Sequence, residues 1–151
     1  MKVGLFPGSF DPFTKGHEDV VRQALLLFGH IIIGIGVNEN KKYLFDLDKR
    51  IKHIASIFEG EKVTVQHFSG LTVDFAKTCN AQFLVRGLRD SRDFSYERAI
   101  AHTNEQLSGI KSVFLLTRQE FGSINATIVR EIFINGGDIA PFVTKPELLV
   151  I

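Results

Sequence analysis

A chain of 151 residues has the length of one domain with a continuous buried core and leaves little room for a second. Apolar residues at 44% and charged residues at 23% exclude disorder and low-complexity architecture. With 18 basic against 17 acidic side chains, the formal charge of +1 removes any global attraction to nucleic acid or acidic lipid, so an anion site has to be local.

The aromatic residues are 14 Phe, 2 Tyr and no Trp, which suits core packing rather than stacking on bases. The lone Cys79 excludes an intramolecular disulfide framework and a cysteine-rich zinc site, and it fits a reducing compartment. The first apolar run is cut by Pro7-Gly8, too soon for a signal peptide, and no stretch approaches the roughly 20 apolar residues of a membrane span. The expectation is a cytoplasmic chain, residues 1–151 as a single domain, with no nucleic-acid or membrane partner.

From the N-terminus, residues 3–6 form a short apolar run closed by Pro7-Gly8, and residues 31–37 an almost unbroken β-branched run closed by Asn38; both are read as strands. Continuous rather than alternating hydrophobicity belongs to strands covered on both faces, as in a parallel sheet flanked by helices. Val20, Val21, Ala24, Leu25 and Phe28 recur between them at helical spacing. Ile51, Ile54, Ala55 and Phe58 repeat that pattern before a strand at 63–65. A short helix through Val73, Phe75 and Ala76, a strand at 83–85, a polar helix over 94–107, a strand at 113–116 and a helix over 128–134 complete the order. The tail beyond Gly136-Gly137 is interrupted by Pro141 and Pro146. Such alternation predicts an α/β fold: a Rossmann-like open sheet of about five parallel strands with right-handed crossovers.

In an open parallel sheet the ligand crevice lies outside the carboxyl ends of the strands, so the residues following each strand carry the information. After the first strand come Pro7-Gly8-Ser9-Phe10-Asp11-Pro12-Phe13-Thr14-Lys15-Gly16-His17, a loop entering a helix whose free N–H groups and dipole would favour a phosphate. It is not a P-loop, and Gly34-Ile35-Gly36 lacks the third glycine of a dinucleotide fingerprint. Walker-type hydrolysis and hydride transfer therefore lose support.

Thr14-Lys15-Gly16-His17 resembles the [H/T]-x-G-H signature of the nucleotidylyltransferase superfamily. Together with Lys41-Lys42, Arg86-Gly87-Leu88-Arg89, Asp93-Phe94-x-Tyr96-Glu97 and Ala101-His102-x-Asn104 in order, the chain resembles the phosphopantetheine adenylyltransferase family over nearly its whole length. The resemblance implies transfer of AMP from ATP to 4′-phosphopantetheine, giving dephospho-coenzyme A and pyrophosphate in coenzyme A synthesis. Attack of one phosphate on another calls for cations and N–H donors, without a protein nucleophile.

The same resemblance implies residue roles. His17, Lys41 and Arg89 would be catalytic, with His17 on the α-phosphate. ATP would be held by Ser9, Phe10, His17, Gly87, Leu88, Arg89, Glu97 and the loop Gly122, Ser123, Ile124, Asn125, Ala126 and Thr127. The acceptor would be held by Ser9, Lys41, Thr72 and Arg86, with Gly87 permitting close backbone approach. Mg²⁺ would accompany ATP, held mainly by its phosphates and water with no protein ligand. A homohexamer and feedback binding of coenzyme A are implied too.

The chain departs from the family at Ala126, where a hydroxyl is missing while Thr127 and Arg130 remain, and at its apolar end, residues 148–151, which would be buried in the sheet or at a subunit contact. Backbone N–H groups would then carry the 122–127 loop's hold on phosphate. His30, His53, His67 and His102 lack partners at metal spacing and are read as packed or solvated. Cys79 is read as inert, and the Phe residues at helical or strand spacing as core. Two rivals stay open: another nucleotidyltransferase, acting on nicotinamide mononucleotide or a small phosphorylated alcohol, and a non-catalytic ATP-binding module.

Overall fold

In the computed structural model, which describes residues 1–150, the apolar runs form one parallel sheet. Its strands are β1 (Val3–Gly8), β2 (His30–Gly36), β3 (Val63–Phe68), β4 (Phe83–Leu88) and β5 (Lys111–Leu116), arranged β3-β2-β1-β4-β5. The helices between them are α1 (Lys15–Ala24), α2 (Leu47–Ile57), α3 (Thr72–Thr78) and α4 (Ser91–Ser108), with α5 (Ala126–Ile134) following β5. Successive strand side chains point to opposite faces. Phe6, Ile31, Ile33, Ile35 and Val85 pack with Val21 and Ala24 of α1 and Ile54 of α2. Leu5, Ile32 and Leu84 pack on the other face with Val73 and Ala76 of α3. Both faces of β2 are thus covered, which is why its sequence shows no polar alternation.

Several boundaries differ from the periodicity, and caps explain most of the differences. Asp90 accepts from the backbone N–H groups of Arg92 and Asp93, so α4 starts earlier than its first apolar residue. Asn125 does the same for α5. At the other end of α4, Gly109 takes φ 76°, the left-handed conformation that glycine adopts without strain.

Pro7 and Gly8, read as the stop of the first strand, lie inside β1, which is central in the sheet. Proline is normally barred from that position for lack of an N–H. Here β1 pairs with β4 only at Gly4 and Leu5, and the sheet has parted by Pro7. Residues 86–88 likewise belong to β4 rather than following it.

The tail is not structureless. Leu149 is fully buried against Phe45, Val129, Ile139 and Val143, a small core of its own rather than the sheet, while Leu148 and Val150 are exposed and Ile151 lies outside the described residues. Phe94 is 45% exposed, against the reading of every patterned Phe as core. No helix among the described residues is long and apolar enough to cross a membrane.

Candidate active site

The parting of β1 from β4 sits where the strand order reverses, the place an open α/β sheet reserves for ligands. Two cavities open there, side by side. One is lined by Phe10, His17, Arg86, Gly87, Arg89 and the 124–127 loop. The other is lined by Gly8, Phe68, Thr72, Ile100, Ala101 and Asn104. Pro7, Arg86 and Glu97 border both.

Local sequence explains how His17 is held. It occupies the third position of α1, where a capping box usually has Glu or Gln. The Thr14 hydroxyl accepts from the His17 backbone N–H, and His17 Nδ1 accepts from the Thr14 backbone N–H at 3.0 Å. A backbone N–H can only donate, so in the neutral ring Nδ1 is bare and the proton sits on Nε2. Phe10 and Phe13 pack against the imidazole with ring centroids at 5.0 and 5.4 Å. Burial, followed by the charges of Arg86 and Arg89, pulls its pKa from 6.5 down to about 3. His17 is therefore a neutral, oriented N–H donor. Phe10 reaches its place with φ 48°, costly for an aromatic residue and compensated here by its edge contacts to Phe6 and Phe13.

The arginines are less free than their sequence suggests. Arg86 donates Nε and Nη2 to the two carboxylate oxygens of Glu97 at 2.9 and 2.6 Å, and Nη1 to the Pro7 carbonyl at 2.6 Å. The guanidinium thus takes the carbonyl that β4 no longer reaches. Arg89 pairs with Asp93 and donates Nη1 to the Ile124 carbonyl at 3.1 Å, tying the 124–127 loop to the end of β4. Burial pushes the Asp93 carboxyl up, but its bonds from Arg89 outweigh this and hold it below the usual carboxylate range.

Loops around the site hang on charged side chains, of which buried Asp11 and Arg50 had no role in the sequence reading. The Asp11 carboxylate accepts from the backbone N–H groups of Leu44 and Phe45 at 2.8 and 2.9 Å. Arg50, buried in α2, donates to the carbonyls of Phe45 and Ser9 and lies 4.3 Å from the Tyr43 ring centroid. Arg130 joins the Asp11 carbonyl to the Thr127 hydroxyl. These contacts bring Lys41 within 3.4 Å of the Ser9 hydroxyl.

Of the residues singled out in the sequence, His17, Phe10, Arg86, Gly87, Arg89, Glu97, Ile124, Asn125, Ala126 and Thr127 line the first cavity, and Thr72 with Arg86 lines the second. Ser9, Lys41, Leu88, Gly122 and Ser123 line neither. Leu88 is buried, and its carbonyl accepts from Thr117 in β5's wake. Gly87 makes its close approach to α1: a Cβ there would fall 2.6 Å from Val20 Cγ2.

Part of the backbone phosphate cradle expected at two helix starts is spent inside the protein. Lys15 N donates to Phe142 O, and His17 N is capped by Thr14. The Asn125 side chain accepts from Thr127 N and Ile128 N, while Gly122 N and Ile124 N donate to carbonyls of the preceding turn.

Phe68 was missed because the third strand was ended early, at 65 rather than 68, and Thr117, the first residue beyond β5, because the strand-end reading was not carried past 116. Asp11 and Arg50 carry no such signal. His53 is packed, bonded to the Thr144 carbonyl at 2.7 Å, and burial pushes the Cys79 thiol up.

A parallel sheet in the order 3-2-1-4-5, a T-x-G-H donor at the start of the first helix and two cavities flanking an arginine define a nucleotidylyltransferase. A cytidylyltransferase-like family model matches residues 5–132. The phosphopantetheine adenylyltransferase of Flavobacterium johnsoniae is 49% identical over 91% of both chains, and that of Phocaeicola vulgatus 46% identical over 96% of this chain and 97% of its own. The chain belongs to the phosphopantetheine adenylyltransferase family, within the cytidylyltransferase-like nucleotidyltransferases.

Among solved structures, a bifunctional NMN adenylyltransferase/ADP ribose pyrophosphatase from Francisella tularensis aligns with TM-score 0.72 at 19% identity, over 97% of this chain and 46% of that one. A lipopolysaccharide core biosynthesis protein from Thermoplasma volcanium aligns with TM-score 0.55 at 18% identity, over 78% of this chain and 96% of that one. At such identities these two speak for the fold alone.

Proposed function

We propose that this chain transfers AMP from ATP to the phosphate of 4′-phosphopantetheine, releasing pyrophosphate and leaving dephospho-coenzyme A. The observation that carries the reading is the pair of cavities sharing Arg86 as a wall, in a chain whose relatives at 46–49% identity bear that enzyme's name. An acceptor phosphate oxygen attacks the α-phosphorus, the bridge to the β-phosphate breaks, and pyrophosphate leaves with the electron pair. Nε2–H of His17 would donate to a non-bridging α-oxygen as charge grows there. Arg89 would meet the nucleotide's phosphates and Arg86 that of the acceptor, with Lys41 and Ser9 at the margin. Asp93 and Glu97, the carboxylates of the nucleotide cavity, are both engaged by arginines, which supports Mg²⁺ held by ATP phosphates and water. When bound it would neutralise β- and γ-phosphate charge.

Release of pyrophosphate from ATP and phosphopantetheine tests the reading. Release with nicotinamide mononucleotide instead selects the rival enzyme, and ATP binding without release selects the binding module. Arg86→Ala is expected to weaken phosphopantetheine by about tenfold or more with ATP within about threefold, and Arg89→Ala to do the reverse, since a charged hydrogen bond is worth roughly 1.5–3 kcal/mol. Titration calorimetry with each ligand separately checks this, and reversed preferences overturn the assignment.

The proposal extends to a homo-oligomer, a hexamer by family resemblance, in the cytoplasm, with coenzyme A as a feedback ligand of the same site. Exposed Leu26, Tyr96 and Leu116, each above 70%, support subunit contacts. Sedimentation should show an assembly at micromolar concentration; a monomer throughout removes that part.

A further inference from the structure

We infer that Tyr43 is a positioning residue for the acceptor phosphate, its ring seating the Lys41 ammonium beside Ser9. The inference rests on the functional reading above and deepens it. Lys41 is exposed on the turn between β2 and α2, where a lysine left to itself spreads over many rotamers. Its Nζ instead stands over the Tyr43 ring, 5.4 Å from the centroid, and 3.4 Å from the Ser9 hydroxyl. An ammonium at that distance is attracted by the negative face of the ring.

The ring is itself held in place. Its hydroxyl accepts from the Asn38 backbone N–H at 3.0 Å and donates to the Gly36 carbonyl at 3.5 Å, since a phenol can do both. The turn beneath it is closed by Lys41 N on the Asn38 carbonyl and by Asn40 N on the Asn38 side chain. The guanidinium of buried Arg50 lies 4.3 Å from the same ring centroid while donating to the Ser9 carbonyl at 2.7 Å. One ring thus joins the cation that fixes the Ser9 backbone to the cation that reaches the Ser9 hydroxyl. Without it, two like charges remain around Ser9 and nothing holds Lys41 to its place. Ordering the ammonium before a phosphate arrives removes a cost that would otherwise weaken binding.

The test is steady-state kinetics with ATP and phosphopantetheine on wild type, Tyr43→Phe, Tyr43→Leu, Lys41→Ala and the Tyr43→Leu/Lys41→Ala double variant, with thermal melts to confirm folding. Tyr43→Leu is expected to raise the phosphopantetheine KM about fivefold with the ATP KM within about twofold, the scale of a partly exposed cation–π contact. Tyr43→Phe keeps the ring and should raise it less than about twofold. In the Lys41→Ala background Tyr43→Leu should add less than about twofold, because residues acting as one unit are not additive.

A loss falling on ATP, an equal loss in both backgrounds, or a Tyr43→Phe loss as large as that of Tyr43→Leu overturns the inference while the function stands. No wild-type turnover with this substrate pair overturns the function and the inference together. A Tyr43→Leu chain that does not fold leaves Tyr43→Met, whose flexible side chain fills irregular space without a ring and should show the same KM split; its absence counts against the inference.

Discussion

His17→Ala is expected to lower turnover roughly 10²–10³-fold, the usual effect of removing one oriented donor from a developing oxyanion. ATP affinity should stay within a few-fold. The asymmetry follows from geometry: the Thr14 backbone holds Nδ1, which leaves Nε2–H as a fixed donor whose bond strengthens only as charge accumulates on the α-phosphate. An interaction made chiefly in the transition state appears in kcat and not in binding. Pyrophosphate-release rates and calorimetry with ATP separate the two, and equal losses would make His17 a binding residue.

The same ring should stay neutral through the physiological range. With the pKa pulled from 6.5 to about 3, the His17 imidazole resonance, assigned by its absence from the Ala variant, should not move in an NMR titration from pH 8 to about 5.5. A midpoint near 6.5 would show an unburied ring. The linkage has a definite sign: below 6.5 the unfolded chain binds a proton at this position that the folded chain refuses. Its contribution to stability is therefore complete above 6.5 and declines as pH falls toward about 3.

The largest effect on stability is expected from Asp11→Ala, a loss of roughly 3 kcal/mol, since two backbone N–H groups lose a charged acceptor in a buried setting. Leu44 N and Phe45 N are the groups stranded, and the charge of buried Arg50 loses an opposite neighbour. Asp11→Asn retains one acceptor oxygen and should cost about half as much by the same accounting. Urea midpoints at constant m-value measure both, and a change below about 1 kcal/mol for the alanine variant would show the turn to be held elsewhere. Because this turn follows Lys41, the variant that keeps folding should also loosen the Lys41–Ser9 contact.

The alternation of apolar runs with helical spacing was enough to determine an α/β fold with a parallel sheet, because burial on both faces of a strand leaves a mark in consecutive residues such as Ile31, Ile32 and Ile33. The loop after β1 was equally legible: a T-x-G-H turn at a helix start is a local arrangement, and its capping geometry is written within four residues.

Tertiary structure decided which charge meets which. Glu97 and Arg86 are brought together across β4 and α4, Arg50 reaches the Ser9 carbonyl from α2, and Asp11 holds a turn more than thirty residues away. It also decided that two amides of the expected phosphate cradle, those of His17 and Thr127, are taken by Thr14 and Asn125. Hydrophobic burial is a property each segment expresses alone, through its own period. The pairing of a buried charge depends on the register and angle at which distant segments pack, and no single segment encodes that.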